Sequence, residues 1–254
     1  MKGVSVITLT LNEEANIGAC LESVGWADER IVVDSGSTDR TAEIAGKNGA
    51  RVLRVSWEGY GPTKNRALAE ARYDWVLWLD ADERVLPELA SELQSIAEQH
   101  APNASGYSVA RRAYFLGRWI RHCGWYPSRV IRFFKREEGR FSENKVHEHV
   151  VLQGSTEPLN HDLIHLTDPT LSHYFQKFNR YTSLAAEEMF LAGRRSRLSD
   201  LVVRPFLTFA RMFFLRRGFL DGTPGLILCM ASSTYVFAKY AKLWELENKR
   251  IERN

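Results

Sequence analysis

The chain opens on Val4-Ser5-Val6-Ile7-Thr8-Leu9, a β-branched run of strand length. Polar Asn12-Glu13-Glu14 follows and leads into Ile17, Leu21 and Val24 at near-helical spacing, which predicts a helix opening at Asn12. The same alternation then repeats. Residues 30–33 read as a second buried strand ending at Asp34, and the turn over 35–39 can cap a helix over 39–48. Residues 51–55 form a third strand, 61–72 a helix, and 75–79 a fourth strand running into Asp80-Ala81-Asp82-Glu83. Strand alternating with helix predicts an α/β fold with a doubly wound, mostly parallel sheet and right-handed crossovers. Such sheets bind ligands beyond the carboxyl ends of their strands. Asn12, Asp34, Asp80 and Asp82 all fall there.

After about residue 100 the alternation stops. Segments 106–115, 129–135 and 146–152 read as strands, with an aromatic, basic loop over 116–128. Residues 171–247 read mostly as helix. The expected organisation is a sheet domain over 1–170, with halves 1–100 and 101–170, and a helical appendage over 171–254.

A composition of 44% hydrophobic and 26% charged residues excludes a disordered chain, a collagen-like fibre and a polytopic membrane protein. Cys20, Cys123 and Cys229 are too scattered for a disulfide scaffold or a zinc ribbon, which points to a reducing compartment. The start, MKGVSVITLTLNEE, has no charged region followed by a long apolar core, so no signal peptide is expected.

The net charge of +3 hides an asymmetry. Residues 1–170 carry 20 Lys and Arg against 24 Asp and Glu, whereas 171–254 carry 14 against 7. Within 194–217 seven arginines face one acid, Asp200. Segment 201–220 mixes those arginines with Phe and Leu, the composition of a helix lying in a membrane interface. The longest uncharged run, 222–238, has 17 residues and is interrupted by Pro224 and Gly225, short of the about 20 apolar residues of a span. The tail therefore reads as a peripheral or shallowly inserted element on an anionic membrane surface, or as an amphipathic bundle. Nucleic acid is not expected as a partner, because the basic residues are interleaved with apolar ones and no nucleic-acid module is present.

Two carboxylates just past a buried strand, Asp80 and Asp82, are costly to bring together unless a cation or hydrogen bonds compensate them. A hard ion, Mg²⁺ or Mn²⁺, bridging to a diphosphate is one solution, and a solvated loop before the helix at Pro87 is the other. Asp34 can accept hydrogen bonds from a nucleobase imide, or the turn 35–39 can merely cap the next helix. Asn12 has the same double reading. His165 can complete a divalent-metal shell. Arg129 and Arg132 can hold a diphosphate or an anionic acceptor, or lie at a solvated strand edge, and Trp119, Trp125 and Tyr126 can stack on sugar faces or pack in the core.

The order of these features narrows the choice. Asn12-Glu13-Glu14 after the first strand, Asp34-Ser35-Gly36-Ser37-Thr38-Asp39 after the second, Lys64-Asn65-Arg66 on a helix and Asp80-Ala81-Asp82 after the fourth form one series. Together they closely resemble the nucleotide-diphosphosugar-binding half of family 2 glycosyltransferases, with a GT-A fold, over roughly residues 3–100. The resemblance implies inverting transfer from a sugar nucleotide, most often UDP-linked. By matching position, it places Thr10 and Glu13 in the nucleotide pocket, Asp34 on the base, and Lys64 or Arg66 near the nucleotide. It places Asp80 and Asp82 at a metal–diphosphate site, with Asp82 the direct ligand.

Residues 129–134, 141–148 and 177–182 resemble a bacterial lipopolysaccharide-core subgroup of β-1,4-glucosyltransferases. This implies UDP-glucose as donor, a lipid-linked inner-core acceptor, and a place on the cytoplasmic face of the inner membrane. Glu148 occupies the family's general-base position, in a Val-His-Glu run where many relatives carry Asp in an Glu-Asp pair. An inverting displacement needs one such carboxylate on the acceptor face. The alternatives are transfer to another cell-envelope glycan and a non-enzymatic, membrane-associated sugar-binding scaffold. A sugar-nucleotide pyrophosphorylase is disfavoured by the lack of a glycine-rich loop after the first strand.

Overall fold

The computed structural model describes residues 1–99, 102, 104–142 and 149–251. The chain divides into two compact units, Met1–Arg111 with Ser128–His165, and Arg112–Pro127 with Leu166–Asn254.

The first unit begins with the expected alternation: β1 (Val4–Thr10), α1 (Ile17–Glu22), β2 (Glu29–Asp34), α2 (Thr41–Lys47), β3 (Arg51–Arg54), α3 (Tyr60–Ala69) and β4 (Trp75–Trp78). These strands lie in the order β3-β2-β1-β4, all parallel. The apolar runs are continuous because both faces are covered. Trp75 and Leu77 pack into one cluster with Val4, Val6 and Phe133, while Val76 and Trp78 pack into another with Ile7, Ile31 and Phe134.

The chain continues through β5 (Glu83–Val85), α4 (Pro87–Glu98), β6 (Gly106–Phe115), β7 (Arg118–Trp119), β8 (Ser128–Lys135), β9 (Gly139–Phe141), β10 (Val150–Leu152), β11 (Thr156–Pro158) and β12 (Leu163–Asp168). In α4, Pro87 sits in the first turn, where no intrahelical N–H is needed, and Leu89, Ala90, Leu93, Ile96 and Ala97 form its buried stripe. β8 runs antiparallel to both β4 and β6, so the sheet is mixed beyond β4.

The start of the first helix differs from expectation. Helix α1 starts at Ile17, not at Asn12, because Asn12 adopts φ +56° and turns its side chain to another loop. The strand expected over 146–152 ends as β10; residues 143–148, Glu148 and His147 among them, lie outside the described residues.

The second unit is built on α5 (Leu171–Leu191), α6 (Leu198–Ala210) and α7 (Gly222–Ile251). Thr170 caps α5 by accepting from the His173 N–H. The motif over 177–182 ties α5 to α7: Lys242 Nζ donates to Asn179, Thr182 and Ser183 at 2.8–2.9 Å.

The single helix expected over 201–220 is interrupted. α6 stops at Ala210, a π turn covers Arg211–Leu215, and a 3-10 turn covers Gly218–Asp221. Arg217 takes a left-handed φ of +52°. A Cβ on Gly218 would stand 2.8 Å from the sulfurs of both Cys123 and Cys229, so glycine alone fits the elbow. Buried Asp221 then accepts from the Arg121 and His122 backbone N–H groups. No helix among the described residues is long and apolar enough to cross a membrane.

Candidate functional site

Strand register gathers the candidate residues at one edge of the first unit. Thr10 and Asp34, the last residues of β1 and β2, are direct neighbours. β4 pairs with β1 up to Trp78 and Ile7, so Asp80 leaves the sheet at the same edge. In the antiparallel β4–β8 ladder Leu77 faces Phe133, which carries Arg132 one position further toward that edge. β12 pairs with β5 through His165 and Glu83, and this sets the imidazole beside the Asp80-Ala81-Asp82 turn.

The first two motifs bind each other. The Asn12 side-chain oxygen accepts from the Thr38 N–H at 2.8 Å, and the Asn12 N–H donates to Ser37 Oγ at 2.9 Å. Glu13 and Glu14 donate their N–H groups to Thr41 Oγ1 and Asp39 Oδ2. Asn12 thus clamps the loop after β2 instead of capping α1, while Asp39 receives the Thr41 N–H at the start of α2, as a cap would. Asp34 is buried and accepts the Ser37 N–H through both oxygens, at 3.2 and 3.3 Å, over a turn made possible by Gly36 at φ +106°. Thr10 is buried beneath it, its carbonyl taking the Ser35 N–H and hydroxyl. The Glu13 carboxylate receives the Asn16 amide at 2.9 Å.

Lys64, Asn65 and Arg66 separate in space. Lys64 is buried, its ammonium 5.1 Å from the ring centres of both Trp78 and Phe141. Asn65 exchanges two hydrogen bonds with the Phe141 backbone and so locks α3 to β9. Arg66 is exposed and lies 3.9 Å from Glu58. Of the two cations expected near the nucleotide, Lys64 is the one close to the acids.

The Asp80-Ala81-Asp82 turn is held by Arg132, expected on a diphosphate or an acceptor, together with Glu83 and Arg111, which the sequence does not single out. Arg132 donates to Asp80 and, at 2.9 Å, to Glu83, which is fully buried. Glu83 also accepts the Asp80 N–H at 2.9 Å, and Arg111 stands 4.0 Å away on the other side. Burial alone would raise the Asp80 carboxyl; the Arg132 guanidinium, aided by Lys64, outweighs it and holds the group down to about 2. Glu83 is pushed up, by burial first and then by the Asp80 charge, against the pull of Arg132. Burial also lowers Arg111. Glu83 directly follows the acidic pair in the sequence, and that adjacency was the available signal. Arg111 carried none.

Arg132 is thus engaged by protein carboxylates, whereas Asp82 keeps its carboxylate toward His165, Oδ2 to Nε2 at 3.4 Å. Ligands at neighbouring octahedral positions about 2.1 Å from an ion stand about 3 Å apart, so this carboxylate–imidazole pair fits a small divalent cation. Among the described residues no group of three or more His, Cys, Asp or Glu could hold an ion, so the pair would need oxygen ligands from a bound diphosphate or water.

The remaining candidates are dispersed. Arg129 donates to the Ser108 and Leu159 carbonyls, and His161 pairs with Glu92 at 2.8 Å. His149 pairs with Ser142. In the second unit Trp119 is flanked by Arg121 and Arg112, with Tyr126 edge-on at 5.3 Å, and Trp125 packs against Phe115.

Residues 5–153 match the family model described as glycosyl transferase family 2. The lipopolysaccharide core biosynthesis glycosyltransferase LpsC of Rhizobium meliloti (strain 1021) is 32% identical, covering 95% of this chain and 92% of the relative. An uncharacterized glycosyltransferase of Rickettsia typhi (strain ATCC VR-144 / Wilmington) is 32% identical over 98% of this chain and 89% of its own. Among solved structures, glucosyl-3-phosphoglycerate synthase from Mycobacterium tuberculosis, in complex with Mn²⁺, UDP and glucosyl-3-phosphoglycerate, is 25% identical. It covers 54% of this chain and 57% of its own, with a TM-score of 0.41.

Proposed function

The chain belongs to glycosyl transferase family 2, and we propose that it moves glucose, with inversion, from UDP-glucose to a lipid-linked lipopolysaccharide inner-core acceptor. The observation that carries this reading is the acidic turn itself. Asp80 is neutralised by Arg132, and Asp82 is left beside His165 at the strand edge that also carries Asp34 and Lys64. The likeness to LpsC over 95% of this chain and 92% of the relative supports an acceptor in the lipopolysaccharide core.

In this reading Asp34 accepts from the uracil imide, with Thr10 and Glu13 lining the same pocket. Lys64 offers positive charge to the diphosphate, with Arg66 further out. Arg132 acts on the donor through Asp80, whose position it sets. Asp82, with His165 and Asp80 beside it, would hold Mg²⁺ or Mn²⁺, and the ion would stabilise the negative charge of the departing diphosphate. The bond between the anomeric carbon and the β-phosphate oxygen breaks and UDP leaves. The acceptor oxygen bonds to that carbon from the opposite face, and its proton passes to the carboxylate of Glu148. A UDP-sugar donor and a lipid-anchored acceptor put the reaction on the cytoplasmic face of the inner membrane, with the protein held there peripherally.

A screen of UDP-sugars with purified protein and Mg²⁺ or Mn²⁺, read as UDP release, tests the donor. UDP-glucose is expected to turn over fastest; a clear preference for another sugar would replace glucose in the proposal. Glu148→Gln tests the base: kcat is expected to fall by about a hundredfold or more while UDP affinity stays unchanged. Equal losses in both would move the base elsewhere.

A further inference from the structure

The second unit exposes an apolar surface that its own core leaves unused. On α6, Leu201 and Phe209 pack inward. Leu198, Val202, Val203, Phe206 and Leu207 follow one another at helical spacing and are 48–77% exposed. The exposed face of this helix is therefore the apolar one, the reverse of a surface helix on a soluble bundle. The surface continues around the elbow, where Phe214, Leu215, Phe219 and Leu220 are 48–78% exposed. Within the elbow the Phe213 ring lies 5.1 Å from Phe214 and 6.0 Å from Phe219, and Phe214 in turn lies 6.3 Å from Phe209 of α6. Contiguous exposed apolar area of this kind marks an interaction site.

The exposed charge carried by this segment has one sign. Asp200 and Asp221 are both buried, Asp200 paired with Arg204 and Asp221 with His122, and no carboxylate lies between them in the sequence. Arg211, Arg216 and Arg217 are exposed, and among the described residues none of them forms an ion pair.

We propose that the outer face of α6 and the elbow over 211–221 form an interfacial anchor for an anionic lipid surface. The aromatic and aliphatic side chains enter the acyl boundary and Arg211, Arg216 and Arg217 meet lipid phosphates. A second copy of the chain fits less well, because a two-fold contact would set the same arginines against each other. Nucleic acid would satisfy the arginines and leave the apolar face in water. The anchor rests on the lipid-linked acceptor reading for its purpose, while binding itself needs neither donor, metal nor acceptor.

The test is flotation of the full chain with acceptor-free vesicles, of pure phosphatidylcholine or of phosphatidylcholine mixed with phosphatidylglycerol. The protein is expected to float with the anionic vesicles and to do so less as salt rises. Replacing all three residues, as Arg211→Gln, Arg216→Gln and Arg217→Gln, is expected to lower partitioning by about a hundredfold. An environment-sensitive dye on Leu215→Cys, accessible while the three native cysteines are buried, is expected to shift to the blue on anionic vesicles. UDP release without vesicles, measured on the same samples, reports the chemistry separately, so either reading can fail alone. The anchor is overturned if the wild type fails to float with either vesicle, if the triple variant floats equally, or if a dimer that shields Leu215 forms instead.

Discussion

Asp82→Ala is expected to lower sugar transfer by about a thousandfold or more while leaving the fold intact. The Asp82 carboxylate reaches His165 at 3.4 Å and belongs to none of the buried apolar clusters, so its removal opens no gap in the core. What it removes, on the proposed mechanism, is the negative ligand that fixes a cation against the leaving diphosphate. Asp82→Asn keeps the size and loses the charge, and should be nearly as inactive. Turnover with saturating Mn²⁺ and UDP-glucose, paired with a thermal melt, separates the two effects. Wild-type turnover in either variant would remove Asp82 from the mechanism.

Arg132→Met is expected to cost about 3–5 kcal/mol of stability, because it leaves Glu83 fully buried beside Asp80 with their shared cation gone. Adding Glu83→Gln to that variant should recover part of the loss, since a neutral amide is cheaper to bury than an unpaired carboxylate. Urea titrations of the wild type, the single and the double variant measure both quantities. An Arg132→Met midpoint equal to the wild type would show that the cluster does not hold the turn. The same cluster has a pH signature. The Asp80 carboxyl is held down to about 2 in the folded state, so its contribution is complete above the ordinary carboxylate range and disappears as pH falls toward that value. Glu83, raised by burial, works in the opposite sense: its contribution falls as pH rises through its folded value.

The periodicity of apolar positions gave β1 to β4 nearly to the residue, because buried parallel strands read as continuous apolar runs. The candidate site was legible to the extent that strand ends mark it: Thr10 and Asp34 end β1 and β2, and Asp80 follows β4 by two residues. Partnerships made across the sheet were not. Nothing local in the sequence says that Arg132 faces Asp80 and Glu83, that Asn65 locks onto Phe141, or that Asn12 reaches Thr38, since each depends on register between distant segments. The helical tail was misread in a different way. Its mixture of Arg, Phe and Leu suggested one amphipathic helix, yet a left-handed Arg217 and the crowding at Gly218 break it into a helix and an elbow.

The central claim is inverting transfer from a nucleotide sugar at the Asp82 edge, and proton NMR of the product tests it most directly. Incubation of the full chain with UDP-glucose, in which the sugar is α-linked, a divalent cation and lipid-linked inner core is expected to add one hexose in the β configuration. An α-configured product, or no transfer by folded protein that binds UDP, would contradict it.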